Sequence, residues 1–302
     1  MSTNGSALNE ITPYIYGTTR LGDDSIPRAE RIKVARAAMN ASVWFHTSRA
    51  YGNALEVLAE AFAEEPTKIP KFIIKIGWDN INQLRGVIEE NIKPLGLRGV
   101  QLGQLCLNGE LAQDFANGGN CYRVFQELKG EGLVQGYVVE VFPWTSEPTL
   151  KALRAGYTEG IIDGFIFYLN PLQRFASNEL WDEIVERNQP IIAMRTVSGG
   201  PVNSLRDVPG FAWKNYLQKR AVEVAPIFEK SAIKSWTEFC VRFAHSFPQV
   251  KATVGSTSHI ENLNEFLSVK DRPLPESIIE EIKALHYRWS EELDMIAEPW
   301  TM

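Results

Sequence analysis

The sequence predicts a (β/α)8 barrel of the TIM type, in which eight parallel strands are each followed by a helix. Short apolar runs alternate with amphipathic segments along the whole chain, and eight such pairs can be counted. Continuous apolar runs are typical of strands buried on both faces, as in a parallel sheet covered by helices. The GxGxxG turn that would favour an open doubly wound sheet is absent.

The predicted elements follow in order. Each apolar run is too short for a buried helix and is therefore assigned as a strand. The strands are expected at residues 15–19, 42–46, 71–76, 100–107, 136–142, 164–169, 190–194 and 251–255. The helices are expected at residues 29–39, 54–62, 83–92, 122–128, 149–155, 179–187, 235–243 and 259–267, and a last amphipathic segment at 276–293 closes the chain.

Length and composition fit a single domain over residues 1–302, because no composition shift or linker divides the chain. A net charge of −6 without a Lys/Arg-rich run argues against a nucleic-acid partner. No signal peptide or membrane-spanning run is seen, and the three cysteines are too few for a disulfide framework. We therefore expect a cytoplasmic protein, a monomer or homo-oligomer, that acts on a small molecule without a membrane partner.

A glycine- and proline-containing stretch at residues 198–210 follows the seventh predicted strand. A long loop at this place in a barrel is either a lid over the pocket or a packed surface excursion, and the sequence leaves both open.

The carboxyl ends of the predicted strands carry an unusual number of titratable side chains. His46, Lys75 and Glu140 each end or interrupt an apolar run. Burying such groups is costly unless they are paired, and the active sites of these barrels lie at the carboxyl ends of the strands. Tyr51 and Cys106 are expected at the same end. The sequence therefore predicts a reactive pocket there.

Seven segments resemble, in order and spacing, the aldo-keto reductases. They are YGTTRLGD, FHTSRAYGNALEVLAEAF, FIIKIG, LGLRGVQLGQLCLNG, LKGEGLVQGYVVEVF, IDGFIFYLNPLQR and GSTSHIENLNEF. This resemblance covers nearly the whole chain and implies the same barrel. It also implies the family's reaction, the reduction of carbonyl groups by hydride transfer from NAD(P)H.

The resemblance assigns the catalytic positions residue by residue. Tyr51 matches the family's proton-donating Tyr and Lys75 its Lys, whereas His46 stands at the Asp position and Cys106 at the His position. His46 cannot supply the negative charge of the missing carboxylate, and a protonated His46 would repel Lys75. We expect the Lys75 ammonium to lower the pKa of Tyr51, so that the phenol can still act as an acid.

The resemblance also implies a dinucleotide site with altered contacts. Glu140, Val141 and Ile166 stand where the family binds the nicotinamide carboxamide, and Met194 stands where an aromatic ring stacks. NAD is slightly favoured over NADP, because Ser256 and Asn262 replace the cations that clamp a 2′-phosphate. A phosphate can still bind the backbone N–H groups and hydroxyls of Ser256–Ser258, at the start of the helix expected at 259–267. The expected cofactor-binding set is Thr18, Thr19, Glu140, Met194, Arg195, Gly255, Ser256, Thr257, Ser258 and Glu265.

Three functions remain open on these residues. The first is a divergent oxidoreductase that uses Tyr51 and Lys75. The second is a non-redox acid–base enzyme, such as an isomerase or lyase, that uses His46, Tyr51, Lys75, Cys106 and Glu140. In a variant of this function zinc binds three of these residues, His46, Cys106 and Glu140, although their spacing in the sequence does not support a metal site. The third is a binding or regulatory barrel, which an exposed apolar face on residues 276–293 would favour. Substrate contacts are expected from residues 198–210 and from Arg49, Trp78, Trp144 and Arg195.

Overall fold

The computed structural model describes residues 6–76, 80–197, 214–269 and 272–293. Eight parallel strands close into a barrel in the order β1-β2-β3-β4-β5-β6-β8-β9, and β1 pairs with both β2 and β9. This confirms the predicted fold class. The strands are β1 Tyr14–Gly17, β2 Trp44–Thr47, β3 Phe72–Ile76, β4 Val100–Cys106, β5 Val134–Val141, β6 Ile162–Asn170, β8 Ile191–Met194 and β9 Val250–Ser256. A two-residue strand, β7 Gln173–Arg174, folds back antiparallel on the end of β6.

Eleven α-helices surround the barrel within the described residues. They are α1 Arg28–Asn40, α2 Ala54–Glu64, α3 Leu84–Ile92, α4 Gly109–Ala116, α5 Cys121–Gly130, α6 Ser146–Arg154, α7 Asn178–Glu186, α8 Lys214–Lys230, α9 Trp236–His245, α10 Ile260–Ser268 and α11 Glu276–Leu293. The helices α4 and α8 were not predicted. α8 contains Pro226, which cannot donate a backbone hydrogen bond and usually interrupts a helix. The predicted loop at 198–210 and Trp78 lie outside the described residues.

The closing helix α11 packs its apolar side against the rest of the protein. Ile278, Ile282 and Trp289 are all buried. Five large apolar side chains of the described residues are exposed, and none of them is on α11: Ile69, Trp144, Tyr157, Val222 and Leu267. An exposed apolar face, which would favour a binding or regulatory barrel, is therefore not found on the described part of α11. None of the described helices combines the length and apolarity needed to cross a bilayer.

Parallel register positions the pocket side chains. On β4, Gln104 lies opposite Lys75 of β3, and Cys106 lies opposite Glu140 of β5. Alternate residues of a strand point to the same side of the sheet, so Gln104 and Cys106 share one face. Gln104 contacts His46 and Cys106 contacts Glu140, and both side chains are buried, so this face lies inside the barrel.

Candidate active site

Four titratable residues on neighbouring strands are buried together. His46 on β2, Lys75 on β3, Cys106 on β4 and Glu140 on β5 are 3%, 4%, 5% and 0% exposed. The structure thus brings together the residues that the sequence placed at the strand ends. Because all four are almost completely removed from water, their contacts with one another decide their charges.

Lys75 and Glu140 form a buried ion pair. The Lys75 Nζ lies 3.0 Å from Glu140 Oε1, and the Cys106 thiol donates to Glu140 Oε2 across 2.7 Å. Burial lowers the pKa of Lys75, but the Glu140 carboxylate, with smaller contributions from Tyr51, Cys106 and Tyr168, more than offsets burial and holds that pKa well above its ordinary value. Lys75 is therefore an ammonium at neutral pH. Burial, reinforced by Glu140, raises the pKa of the Cys106 thiol, which stays protonated.

His46 is neutral and is oriented by a neighbour that the sequence analysis missed. Its Nε2 lies 2.6 Å from Gln104 Oε1, and Gln104 Nε2 points to the Met194 sulfur at 3.9 Å. Burial, reinforced by the charge of Lys75, lowers the pKa of His46 to about 4. His46 therefore does not repel Lys75 at neutral pH. The i, i+2 spacing of Gln104 and Cys106 in an apolar run was the sequence signal for this neighbour.

Tyr51 is half-buried in the loop between β2 and α2. Its backbone packs tightly on a second loop, because a Cβ on Gly22 would lie 1.9 Å from the Tyr51 carbonyl oxygen. Its ring centroid is 6.1 Å from that of His46. Burial raises the pKa of Tyr51, while Lys75 and a hydrogen bond from the exposed Thr19 only partly oppose this. Lys75 therefore lowers the pKa of Tyr51 as expected, but burial has the larger effect, so the net pKa is raised and the phenol is protonated at neutral pH.

Arg195 extends across the ends of β6 and β8. Its Nε donates to the Tyr168 hydroxyl at 2.7 Å, and its guanidinium lies 5.1 Å from the centre of that ring. Arg195 has a positive φ of 45°, a conformation that is strained for a residue other than glycine. The side chain of Asn170 donates to the Arg195 carbonyl at 3.0 Å and so holds this backbone.

The other two expected substrate residues in the described part are at the surface. Arg49 forms an exposed ion pair with Glu90, so its charge is already partnered there. Trp144 is 39% exposed and stacks on Phe142 with ring centroids 4.7 Å apart. Of the two expected arginines, only Arg195 contacts another residue of the barrel mouth, Tyr168.

The loop between β9 and α10 places several hydroxyls before a helix N-terminus. Ser256 Oγ accepts from the Arg20 backbone N–H at 3.0 Å, and Thr257 Oγ1 accepts from that of His259 at 3.1 Å. Ser258 is 7% exposed. The Gly255 carbonyl accepts from the Tyr14 hydroxyl. Helix N-terminal amides can bind phosphate, so this loop fits the phosphate end of a dinucleotide.

Elsewhere the expected cofactor contacts fit less well. Val141 and Ile166 are fully buried apolar residues, and both oxygens of Glu140 are engaged by Lys75 and Cys106. These three residues therefore do not provide the amide contacts that a nicotinamide carboxamide needs. Thr18 bonds Thr47 and the His46 carbonyl inside the barrel. Glu265 accepts from Ser235 at the start of α9.

The described residues contain no group of three His, Cys, Asp or Glu side chains that could hold a metal ion. His46 faces Gln104, whereas Cys106 and Glu140 contact each other. The arrangement considered for zinc is therefore not formed by these three residues.

The closed parallel barrel, with titratable residues gathered at the carboxyl ends of its strands, defines an α/β-barrel protein in which Lys75 is close enough to Tyr51 to act on its pKa. Residues 13–286 match the sequence profile of the aldo/keto reductase family, so the chain belongs to that family. A crystal structure provisionally assigned as 2,5-diketo-D-gluconic acid reductase B is similar in fold, with a TM-score of 0.68 and 14% identity over 97% of this chain and 93% of that one. A comparison with curated protein sequences found no significant match.

Acid should destabilise the fold through His46. The folded pKa of about 4 lies below the ordinary value of 6.5, so only the unfolded chain takes up this proton between these two pH values. Stability is therefore lost as pH falls through that window, by up to about 3 kcal/mol from this group. Urea unfolding at several pH values should show a flatter pH dependence for His46→Asn than for the wild type.

The control for this measurement is His259→Asn, which changes an exposed histidine. This variant should keep the wild-type pH dependence. An unchanged slope in His46→Asn between pH 4 and 6.5 would show that His46 does not carry the effect.

Proposed function

We propose that the protein is an NAD(P)H-dependent reductase of a small polar carbonyl compound, working in reverse on the corresponding alcohol. Its family membership supports the reaction class, since aldo/keto reductases generally use NAD(P)H. The observation that carries the proposal is the pairing of a protonated Tyr51 with a charged Lys75, each acting on the pKa of the other. Tyr51 is the proposed proton donor, and Lys75 assists it.

The proton step follows from these charges. NAD(P)H, when bound, supplies a hydride to the carbonyl carbon. Negative charge then develops on the carbonyl oxygen, which takes the Tyr51 phenolic proton and becomes a hydroxyl group. The phenolate left behind is stabilised by the Lys75 ammonium. Since the site is buried, this charge–charge stabilisation is stronger than it would be in water.

NAD is slightly favoured over NADP as the cofactor. Backbone amides and hydroxyls around Ser256–Ser258 suit the pyrophosphate, and neither Ser256 nor Asn262 carries a charge for a 2′-phosphate. Thr19, beside the phenol, and Met194 are proposed to border the nicotinamide. Thr18 and Glu265 are proposed to support the site from their hydrogen bonds inside the fold.

The test combines binding with turnover. The melting temperature is measured with NAD⁺, NADH, NADP⁺ and NADPH, and the loss of reduced-nicotinamide absorbance is followed with simple and polar aldehydes. We expect stabilisation by at least one dinucleotide and aldehyde-dependent oxidation of it. A protein whose melting temperature does not respond to any of the four at millimolar concentration is not a dinucleotide-dependent reductase.

A second function is favoured by one specific observation. The carboxamide-contact positions are apolar or already engaged, while His46, Lys75, Cys106 and Glu140 are buried together and the half-buried Tyr51 lies near them. A non-redox acid–base reaction, such as an isomerisation or elimination on a small polar substrate, needs only these groups. Absence of dinucleotide binding, together with proton exchange at a carbon next to a carbonyl, would select this function.

The position of Arg195 suggests a polar or anionic substrate. A hydrogen bond to a charged group contributes about 1.5–3 kcal/mol, which corresponds to about a 10- to 100-fold change in binding. Arg195→Gln should therefore raise the KM for a carboxylate-bearing aldehyde by that factor and leave kcat and the KM of an uncharged aldehyde nearly unchanged. Arg49→Gln, which alters a surface ion pair, is the matched control. Equal effects on both aldehydes would remove Arg195 from substrate recognition.

The proposal also covers the cellular compartment, the partners and the oligomeric state of the protein. Its three cysteines are free thiols, which supports a reducing compartment such as the cytoplasm. We propose that the partner is a small-molecule substrate, with neither nucleic acid nor a membrane involved, and that the barrel acts as a monomer or homo-oligomer.

A further inference from the structure

The Lys75 ammonium is held by a carboxylate on a strand other than its direct neighbour. Lys75 is on β3 and Glu140 is on β5, so the 3.0 Å ion pair crosses over β4. The two side chains are almost fully buried, at 3% and 1% exposure. An ammonium removed from water to this degree is costly without a partner of opposite charge. Lys75 therefore depends on Glu140 for its charged state.

We propose that Glu140 is the positioning residue that keeps Lys75 charged beside Tyr51, and that it replaces the carboxylate missing from the β2 position held by His46. This inference rests on the proposed function for its catalytic consequence. The claim that Glu140 keeps Lys75 charged depends only on the ion pair between them. Glu140 acts through Lys75 and is not required to touch the substrate.

The residue on β2 cannot take this role. His46 directs Nε2 to the side-chain amide oxygen Oε1 of Gln104 and is neutral above a pKa of about 4. It therefore provides neither the negative charge that Lys75 needs nor a repelling positive charge. Gln104, the β4 partner of Lys75 in the sheet register, instead engages Nε2 of His46 as a neutral amide.

Cys106 fixes the second oxygen of Glu140. Its thiol donates to Oε2 and leaves Oε1 for Lys75, and Cys106 and Glu140 lie opposite each other in the β4–β5 register. The thiol pKa is raised, so Cys106 donates this hydrogen bond throughout the neutral range. The carboxylate is thus held by one charged and one neutral donor, and its orientation is set by two different strands.

The groups that act on the charge of Lys75 come from several elements of the barrel mouth. Glu140, Tyr51, Cys106 and Tyr168 all favour the ammonium form. His46 is close enough for the charge of Lys75 to lower its own pKa. Among these groups Glu140 has the largest favourable effect on Lys75, which makes it the one to change.

The test removes the carboxylate at position 140 on β5 and introduces one at position 46 on β2. Four proteins are compared: the wild type, Glu140→Gln, His46→Asp and the double variant H46D/E140Q. We expect Glu140→Gln to lower kcat for aldehyde reduction at least tenfold with little change in KM. We expect the double variant to recover most of this loss, because the aspartate introduced on β2 restores a carboxylate near Lys75. A double variant as slow as Glu140→Gln, or a fully active Glu140→Gln, overturns the proposal.

A second readout does not need turnover. The pH midpoint for reductive methylation of Lys75 by formaldehyde with cyanoborohydride as the hydride donor, followed by mass spectrometry of its peptide, reports when the amine loses its proton. Glu140→Gln should move this midpoint to lower pH, and H46D/E140Q should move it back. An unchanged midpoint in Glu140→Gln overturns the counter-ion role. A shifted midpoint in a protein that reduces no aldehyde supports that role and rejects the proposed function instead.

Glu140→Asp covers the case in which Glu140→Gln does not fold. This variant keeps the charge and shortens the side chain by one methylene. We expect a methylation midpoint near that of the wild type with a reduced kcat, because the carboxylate remains but no longer reaches Lys75 with the same geometry. A midpoint lowered by several pH units in a folded Glu140→Asp protein would contradict the proposal.

Discussion

Replacing Tyr51 by phenylalanine should lower kcat for aldehyde reduction by about 10²–10⁴-fold, the range that general acid catalysis usually contributes. The change removes only the hydroxyl and keeps the ring that packs near His46. Lys75 cannot replace the phenol as the acid, because its pKa is held well above its ordinary value and it releases a proton poorly. Steady-state kinetics with the preferred dinucleotide measure the effect, and dinucleotide binding should be unchanged.

The control for this variant is Tyr157→Phe. Tyr157 is 41% exposed and packs against Tyr122, outside the strands that carry the pocket. The same loss of a hydroxyl there should leave kcat within a factor of about two of the wild type. Aldehyde reduction by Tyr51→Phe that stays close to that of the control would exclude Tyr51 as the proton donor.

Lys75→Met should destabilise the fold by about 3–5 kcal/mol, the usual cost of leaving one member of a buried ion pair without its partner. The variant leaves the Glu140 carboxylate buried with only the Cys106 thiol as a hydrogen-bond donor. The double variant K75M/E140Q should lose much less than the sum of the single changes, since it leaves no unpaired charge. Urea unfolding at pH 7 measures the free energy of unfolding of the wild type, Lys75→Met, Glu140→Gln and the double variant.

A surface ion pair in the same protein provides the comparison. Arg28 and Glu60 contact at 2.5 Å, with side chains 40% and 49% exposed. Arg28→Met should change the free energy of unfolding far less than Lys75→Met, because exposed pairs are screened by water and salt. If Lys75→Met costs no more than Arg28→Met, the buried pair is not an important source of stability.

Much of the fold could be predicted because its signals are local. An apolar run such as that of β3 identifies a buried strand by itself, and most predicted boundaries differ from the observed ones by about one to three residues, within the usual uncertainty of element ends. The failures have local causes too. Helix α8 contains Pro226, which is unusual inside a helix. The short helix α4 is an additional helix between β4 and α5, whereas one helix was expected after each strand. Two helices were therefore missed without changing the number of barrel strands.

The site was only partly predictable. The positions of Tyr51 and Lys75 follow from the strand ends and from the resemblance to the family. The role of Gln104 was missed, because its i, i+2 spacing with Cys106 indicates only a shared face of β4, and its partner on β2 is known only from the folded structure. The net direction of the Tyr51 pKa shift was also missed. It depends on how many surrounding atoms exclude water, and that is a property of the assembled pocket.

The sequence by itself determined the barrel, the strand ends that carry the titratable residues, and the loss of the acidic residue at the His46 position. Only the tertiary structure decided that Lys75 has a carboxylate partner after all. Glu140 lies 65 positions away from Lys75 along the chain. The two meet because parallel pairing places β3, β4 and β5 side by side and points their alternate side chains into one buried space. Charge pairing of this kind depends on distance and burial, which the order of residues does not contain.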